Sequence, residues 1–133
     1  MKIEKVSRDV HAGAGRGGAG YGSGAGGSVT QATSKSTAVT INKINGKIIT
    51  ASDALAVNTT AVFKVNNSLV GLNDHIIITI DNSGGGVDGS FYLAWAVRDS
   101  RDGGFYICLR NIGNSSLSHA VPLSFAIIKG SIT

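Results

Sequence analysis

The sequence predicts an all-β fold, an eight-stranded antiparallel sandwich of the jelly-roll kind, with an extended glycine-rich arm at the N-terminus. Three observations support this expectation. Eight short runs rich in Val, Ile, Thr and aromatic residues follow Ser28, and Asn, Gly, Asp and Ser separate them. No stretch shows the 3.6-residue apolar period of an amphipathic helix. Strands of this number and length pack as a sandwich or barrel. An immunoglobulin-like sandwich is the competing architecture, although the usual Cys…Trp…Cys spacing is absent.

Glycine dominates residues 12–28, which read AGAGRGGAGYGSGAGGS. Each glycine loses more backbone entropy on ordering than any other residue, and this tract has few apolar side chains to offset that cost. The sequence therefore divides into an arm, residues 1–28, and a β domain, residues 29–133. Arg16 and Tyr21 are the two large side chains in the tract, so we expect them to anchor the arm on another subunit.

The strands of the β domain are predicted from β-branched and aromatic runs between turn residues. They cover residues 29–32, 38–42, 47–50, 61–66, 75–81, 91–98, 105–110 and 123–129. Asn45 and Gly46 predict a type I′ hairpin turn between the second and third strands, because both residues tolerate positive φ. Gly103 and Gly104, which follow Asp102, predict a second hairpin between the sixth and seventh strands.

Alternation along the sixth strand assigns its side chains to two faces. The face with the bulkier side chains is expected to point into the core, and it comprises Phe91, Leu93, Trp95 and Val97. The odd-numbered residues of 105–109 are expected to join that set across the hairpin. Tyr92 and Tyr106 then fall on the opposite face as possible cross-strand neighbours. We interpret them as candidate contacts with another subunit.

Charge is sparse, at 15% of 133 residues, with a formal net charge of +4. The excess of positive charge favours an acidic partner surface. No Lys/Arg stripe suits phosphate neutralisation, and no apolar run approaches a membrane span, so neither nucleic acid nor membrane is predicted as a partner. A single cysteine excludes an intrachain disulfide, and residues 1–10 lack the apolar core of a secretion signal. We therefore expect synthesis in a reducing cytoplasm.

Motifs that suggest catalysis or ligand binding have simpler explanations. Two matches to G-x-G-x-x-G lie in the glycine tract, without the preceding strand and following helix that a nucleotide site needs. The three histidines are scattered, whereas a metal site needs several converging ligands. Cys108 has no recognisable base or orienting partner. Asp99 and Asp102 share one turn with Arg98 and Arg101, which predicts a solvated, charge-balanced turn, open to an interface contact, rather than a pair of acids across a cleft. The sequence therefore predicts no catalytic, cofactor or metal site.

The β domain also carries a resemblance to a known group of proteins. The residues concerned are VTQATSKSTAVTINK at 29–43, the Thr59–Ser68 strand region, and LRNIGNSSLSHAVPLSFAIIKG at 109–130. Residues 28–130 resemble small structural proteins of tailed bacteriophages and prophages. These include capsid decoration or cement proteins and parts of tail or fibre proteins. The resemblance implies a non-enzymatic virion protein, made in the bacterial host cytoplasm, that sits on the outer capsid surface as a homotrimer. Its implied partner is the major capsid protein.

Six side chains are the candidate contacts of such a protein with capsid or neighbouring subunits. They are Arg16, Tyr21, Tyr92, Tyr106, Arg98 and Arg101. The alternative is a carbohydrate-binding or host-attachment module of a tail fibre, in which aromatic rings form a sugar platform. A single small domain with an arm favours decoration.

Overall fold

The computed structural model describes residues 10–12, 19–81 and 89–131. Within those ranges the chain forms ten strands and one turn of 3-10 helix, Gly89–Phe91. The strands are β1 (Val10–Ala12), β2 (Ala19–Tyr21), β3 (Gly26–Thr30), β4 (Val39–Thr40), β5 (Asn45–Ile49), β6 (Thr60–Asn66), β7 (His75–Ile80), β8 (Tyr92–Arg98), β9 (Gly104–Asn111) and β10 (Pro122–Ile128). Each of the eight predicted strands overlaps one of β3–β10, which confirms the all-β class.

Two four-stranded sheets form a β-sandwich, as predicted. Sheet I has the order β3-β5-β10-β7, and sheet II has the order β4-β6-β9-β8. Strands β1 and β2 form a separate antiparallel pair. The core lies between the sheets and is built by the inward residues of both. Its fully buried members include Ile48, Val65, Phe105, Ile107, Leu109, Leu123 and Ile127.

The prediction of a wholly antiparallel sandwich is wrong at two places, because β3 pairs with β5 in parallel and β4 pairs with β6 in parallel. The chain changes sheet at every step from β3 to β8. Alternate strands of that series therefore run in the same direction. β10 lies between β5 and β7, and β9 lies between β6 and β8, and each pairs antiparallel with both neighbours. β3 contacts β5 directly, and β4 contacts β6 directly, so these pairs are parallel. The connection between parallel neighbours runs through the opposite sheet, which supplies the crossover that parallel pairing requires.

The predicted hairpin turn at Asn45 and Gly46 is also wrong, because both residues belong to β5. Gly46 does not have a positive φ. A Cβ atom there would lie 2.6 Å from the carbonyl oxygen of Gly27 and 3.2 Å from Cε1 of Phe125. Glycine at this position therefore permits the close approach of β3 to β5, rather than the geometry of a turn.

The second predicted hairpin joins β8 to β9, and Gly103 has the positive φ of 101° that its turn requires. The sequence predicts that Phe105 shares a face with Trp95 and Val97. In the structure Phe105 pairs with Arg98, so the register is shifted by one residue from the predicted one. A one-residue shift exchanges the two faces of a strand. Ala94 and Ala96 therefore face the core and Trp95 faces outward, opposite to the prediction. Strand β7 of sheet I packs across the sandwich against β8 of sheet II, where these inward side chains are small.

The predicted boundary between arm and body falls inside a strand. Strand β3 begins at Gly26, so the last three residues of the predicted arm belong to sheet I. Tyr21 also contacts the body, because its hydroxyl donates a hydrogen bond to the carbonyl of Ile127. Most of the predicted arm, including Arg16, lies outside the described residues.

Candidate contact face

The outer surface of sheet II carries apolar side chains on three adjacent strands, β6, β9 and β8. We call it the contact face. Its members are Val62, Leu93, Trp95, Val97, Tyr106, Cys108 and Arg110. The register places Val62, Cys108 and Trp95 in one row across the sheet. Leu93 lies beside Arg110 on one side of that row, and Val97 lies beside Tyr106 on the other.

Four of these apolar side chains are substantially exposed. The exposed fractions are 46% for Val62, 51% for Leu93, 37% for Trp95 and 46% for Val97. Single exposed apolar residues are ordinary, but a contiguous patch on adjacent strands is typical of an interaction surface. The contact face therefore has the composition expected of a site that another molecule covers.

The outer surface of sheet I has a different chemistry. Its central row crosses all four strands and consists of Ser28, Lys47, Ser124 and Thr79. Lys47 forms an ion pair with Asp81, with 2.8 Å between Nζ and Oδ2. Sheet I also exposes Ile77 and Ile128, by 49% and 47%, but it exposes no Trp, Tyr or Phe, so the two outer surfaces differ mainly in the aromatic residues of sheet II.

Beside the contact face, Lys64 forms an ion pair with Asp99. The Lys64 ammonium also lies 4.9 Å from the centre of the Tyr106 ring, close enough for a cation–π interaction. The hydrogen bond from Lys64 lowers the pKa of Asp99 below its ordinary value, although burial acts in the opposite direction. Asp99 thus remains a carboxylate at neutral pH, and its charge is already balanced.

Arginine behaves differently from lysine in the described part of the chain. The four ion pairs found there all use lysine, namely Lys35, Lys47, Lys64 and Lys129. None of the three described arginines has a carboxylate within ion-pair distance. Arg110 instead donates from Nη1 to Oγ1 of Thr60 at 3.1 Å, and Arg98 donates to the carbonyl of Leu72. Arg101 is exposed on the turn between β8 and β9.

Of the six predicted contact residues, Arg98, Arg101 and Tyr106 lie on the β8–β9 hairpin, but only Tyr106 belongs to the contact face, since Arg98 pairs with the inward Phe105. Tyr92 is not with them, because it is 3% exposed and its hydroxyl lies 2.9 Å from Nδ1 of His119. Burial raises the pKa of Tyr92. The predicted pairing of Tyr92 with Tyr106 on one outer face is therefore wrong, for the same one-residue reason that moved Trp95 outward.

Sequence reasoning missed Arg110, Leu93 and Val62 as members of an outer surface. The sequence does indicate an outward position for Arg110, because it is adjacent to Leu109, which was correctly predicted to face inward. Nothing in the sequence reported the pairing of β6 with β9, which places Val62 opposite Cys108. The face is thus a product of strand order as well as of alternation.

The described residues contain no group of three or more His, Cys, Asp or Glu side chains that could hold a metal ion. Burial raises the pKa of the Cys108 thiol, which disfavours the thiolate that a nucleophile needs. Across the same ranges, we find no helix with the length and apolar character needed to cross a membrane. No protein-family model, curated protein or solved structure matches this chain.

Proposed function

We propose that this chain is a non-enzymatic virion structural protein that decorates and cements a phage capsid by binding across subunits of the major capsid protein. The observation that carries the proposal is the contact face, where exposed Trp95 lies among aliphatic side chains with arginines nearby. Trp, Tyr and Arg are the residues that dominate binding energy at protein interfaces. The resemblance of residues 28–130 to phage structural proteins supplies the partner.

The size of the contact face suits a protein that acts in many copies. Three strands spaced about 4.8 Å apart and seven residues long give a surface of roughly 15 by 20 Å. That is about 300 Å², well below the roughly 800 Å² per partner of a standard stable interface. One copy should therefore bind weakly through this face alone. Linked or repeated copies on a lattice convert weak contacts into strong attachment.

The finer architecture and the assembly belong to the same proposal. Strands β5–β10 follow the wrapping of a jelly roll, since β5 pairs with β10, β6 pairs with β9, and β7 lies beside β8. We assign the fold to that class, with β3 and β4 as added parallel strands. We further propose a homotrimer, because a cyclic assembly would cover the sheet edges that β3 and β4 provide.

The direct test is cryo-electron microscopy of particles of the phage or prophage that encodes the chain. The proposal expects copies on the outer capsid surface, in groups of three, with sheet II against the capsid. A map with the chain in the tail, or without it on the particle, would reject decoration.

Trp95→Ser should lower the affinity for purified capsids by about thirtyfold or more, the loss expected for an interface hot spot of about 2 kcal/mol. Ile77→Ser is the matched control, because Ile77 is 49% exposed on sheet I. Co-sedimentation with capsids measures both, and thermal unfolding checks that both variants fold. Equal losses for the two variants, or none for Trp95→Ser, would contradict the use of the contact face.

The arm should contribute to attachment and little to folding. A chain that begins at Gly20 keeps Tyr21 and the whole of β3, so its free energy of unfolding should change by no more than about 0.5 kcal/mol. We expect it to decorate capsids poorly, because an arm that orders on a neighbouring subunit adds backbone contacts there. Saturation of capsids at the same concentration as the full chain would show that the arm is only a linker.

Sugar binding on a tail fibre is the second candidate function. The observation in its favour is the exposed Trp95 ring on a flat sheet surface, where an aromatic platform could stack a pyranose. Against it, the carboxylate of Asp99, which directly follows β8, is engaged by Lys64. A glycan array decides between the two: specific sugar binding that Trp95→Ser abolishes would replace the capsid proposal.

A further inference from the structure

We propose that the surface which docks on the contact face is a protein surface with an apolar centre bordered by carboxylates, and that arginines of the β8–β9 hairpin bind those carboxylates. This inference rests on the proposed function and adds the chemistry of the partner. Arg110 would bind at one end of the face and Arg101 at the other, whereas Arg98 lies on the opposite side of β8, where it donates to the carbonyl of Leu72.

The distribution of ion pairs supports this assignment. Each carboxylate that forms an ion pair in the described residues is matched to a lysine: Asp53, Asp74, Asp81 and Asp99. The three described arginines have no such carboxylate, and all three lie on one hairpin. Arginine is the side chain best suited to bidentate recognition of carboxylates and is enriched at interfaces, whereas lysine is depleted there. Two of these arginines, Arg101 and Arg110, lie at the ends of the apolar patch, whereas the exposed Lys43, which also forms no ion pair in the described residues, lies on the β3 side of the sandwich.

The length of β9 sets the distance between the two groups of carboxylates that the partner must present. Arg110 and Gly104 are six residues apart on β9, which corresponds to about 20 Å along the strand. Arg101 lies just beyond Gly104, on the turn. The apolar row of Val62, Cys108 and Trp95 lies between these ends. The hydrogen bond from Arg110 to Thr60 holds the guanidinium beside the face, which reduces the entropy lost when it binds a carboxylate.

A second copy of the chain is a poorer occupant. The carboxylate beside its contact face is Asp99, whose side chain is 8% exposed and engaged by Lys64. Each copy would therefore present arginines and Lys64 against one exposed carboxylate, Asp102, which lies beside Arg101 on the turn. Like charges brought together at an interface oppose association.

Trp95 is the sole tryptophan of the chain, so its fluorescence reports directly on the contact face. The experiment titrates the full-length protein with a capped eight-residue peptide of alternating Glu and Val, and with its Gln–Val counterpart. The proposal expects a saturable blue shift of Trp95 emission with the Glu peptide, weakened by added salt, and binding at least tenfold weaker with the Gln peptide.

Charge variants test the role of the arginines. Arg110→Gln should weaken binding of the Glu–Val peptide at least tenfold, whereas Lys43→Gln should leave it unchanged. Lys43 is the matched control because it is exposed and its side chain lies against Gly27, on the β3 side of the sandwich. Arg101→Gln, on an exposed turn, serves if Arg110→Gln does not fold.

Several results would overturn the inference. Equal binding of the two peptides, or equal losses in Arg110→Gln and Lys43→Gln, would remove the role of carboxylates. A blue shift produced by raising the concentration of the chain alone would identify a second copy as the occupant. A shift produced by phosphatidylglycerol vesicles and not by the peptide would identify a lipid surface. If Trp95→Ser abolishes capsid binding and Arg110→Gln does not, the proposed function stands and this inference fails.

Discussion

Gly46→Ala is expected to destabilise the protein by about 3 kcal/mol, the upper range for overpacking a close contact. The added Cβ would lie 2.6 Å from the carbonyl oxygen of Gly27, 3.0 Å from Cδ1 of Ile41 and 3.2 Å from Cε1 of Phe125. The nearest of these atoms belongs to the backbone of β3, so the clash cannot be relieved by a rotamer change. An ordinary glycine inside a strand shows the opposite sign, because alanine there gains about 0.5–1 kcal/mol.

Urea denaturation of the two proteins measures the difference. Gly20→Ala in β2 is the control, because a Cβ there meets no atom within 4 Å. We expect its free energy of unfolding to stay within about 0.5 kcal/mol of the parent. A Gly46→Ala protein as stable as the parent would mean that β3 does not pack against β5, and the parallel pairing would be wrong.

Gly46 also shows what the sequence could and could not reveal. Its neighbours TAVTINKI and KIIT identify two strands correctly, because β-branched residues suit a pleated surface wherever it lies. The pair Asn45-Gly46 then suggests that these strands touch. They lie in different sheets, and the glycine serves a third strand, β3, that comes earlier in the chain. Close backbone approach and positive φ both favour glycine, so composition alone cannot tell them apart.

The face that β8 presents illustrates a second limit. Alternation divides its residues into two sets correctly, but it does not say which set is inside. Size favours Trp95 over Ala94 for a core. The register of the hairpin decides otherwise, and one residue in the turn is enough to reverse the answer. The candidate site therefore emerged from the very residues that the sequence assigned to the core.

The sequence places Arg98 and Arg101 beside the turn of the β8–β9 hairpin, and the structure has them there. Their contact with a partner stays a prediction. Tyr106 kept its outward position because β9 was assigned to the correct face. Features set by local sequence were thus predictable, whereas those set by pairing between distant strands were not.

Lys35→Met is expected to destabilise the protein by about 3 kcal/mol, because two backbone carbonyls lose their donor at a buried position; the Asp53 carboxylate is 40% exposed and adds little. Lys35 is only 1% exposed. Its Nζ donates to the carbonyls of Ala51 at 2.7 Å and Asp53 at 2.5 Å, and lies 3.5 Å from the Asp53 carboxylate. Methionine fills a similar volume but donates no hydrogen bond, so both carbonyls lose a donor. Lys43→Met, at an exposed position, is the control and should change stability by no more than about 0.5 kcal/mol.

The pH dependence of the same comparison separates loss of the ammonium from loss of packing. Burial lowers the pKa of Lys35 below its ordinary 10.5, although the charge of Asp53 opposes the shift. Between the lowered pKa and 10.5 the unfolded chain binds more protons than the folded one, so Lys35 makes stability rise with pH in that interval. The stability lost in Lys35→Met should therefore grow as the pH approaches 10.5, because the other titrating groups cancel between the two proteins. A difference that stays constant with pH would mean that Lys35 is as well solvated in the folded protein as in the unfolded chain.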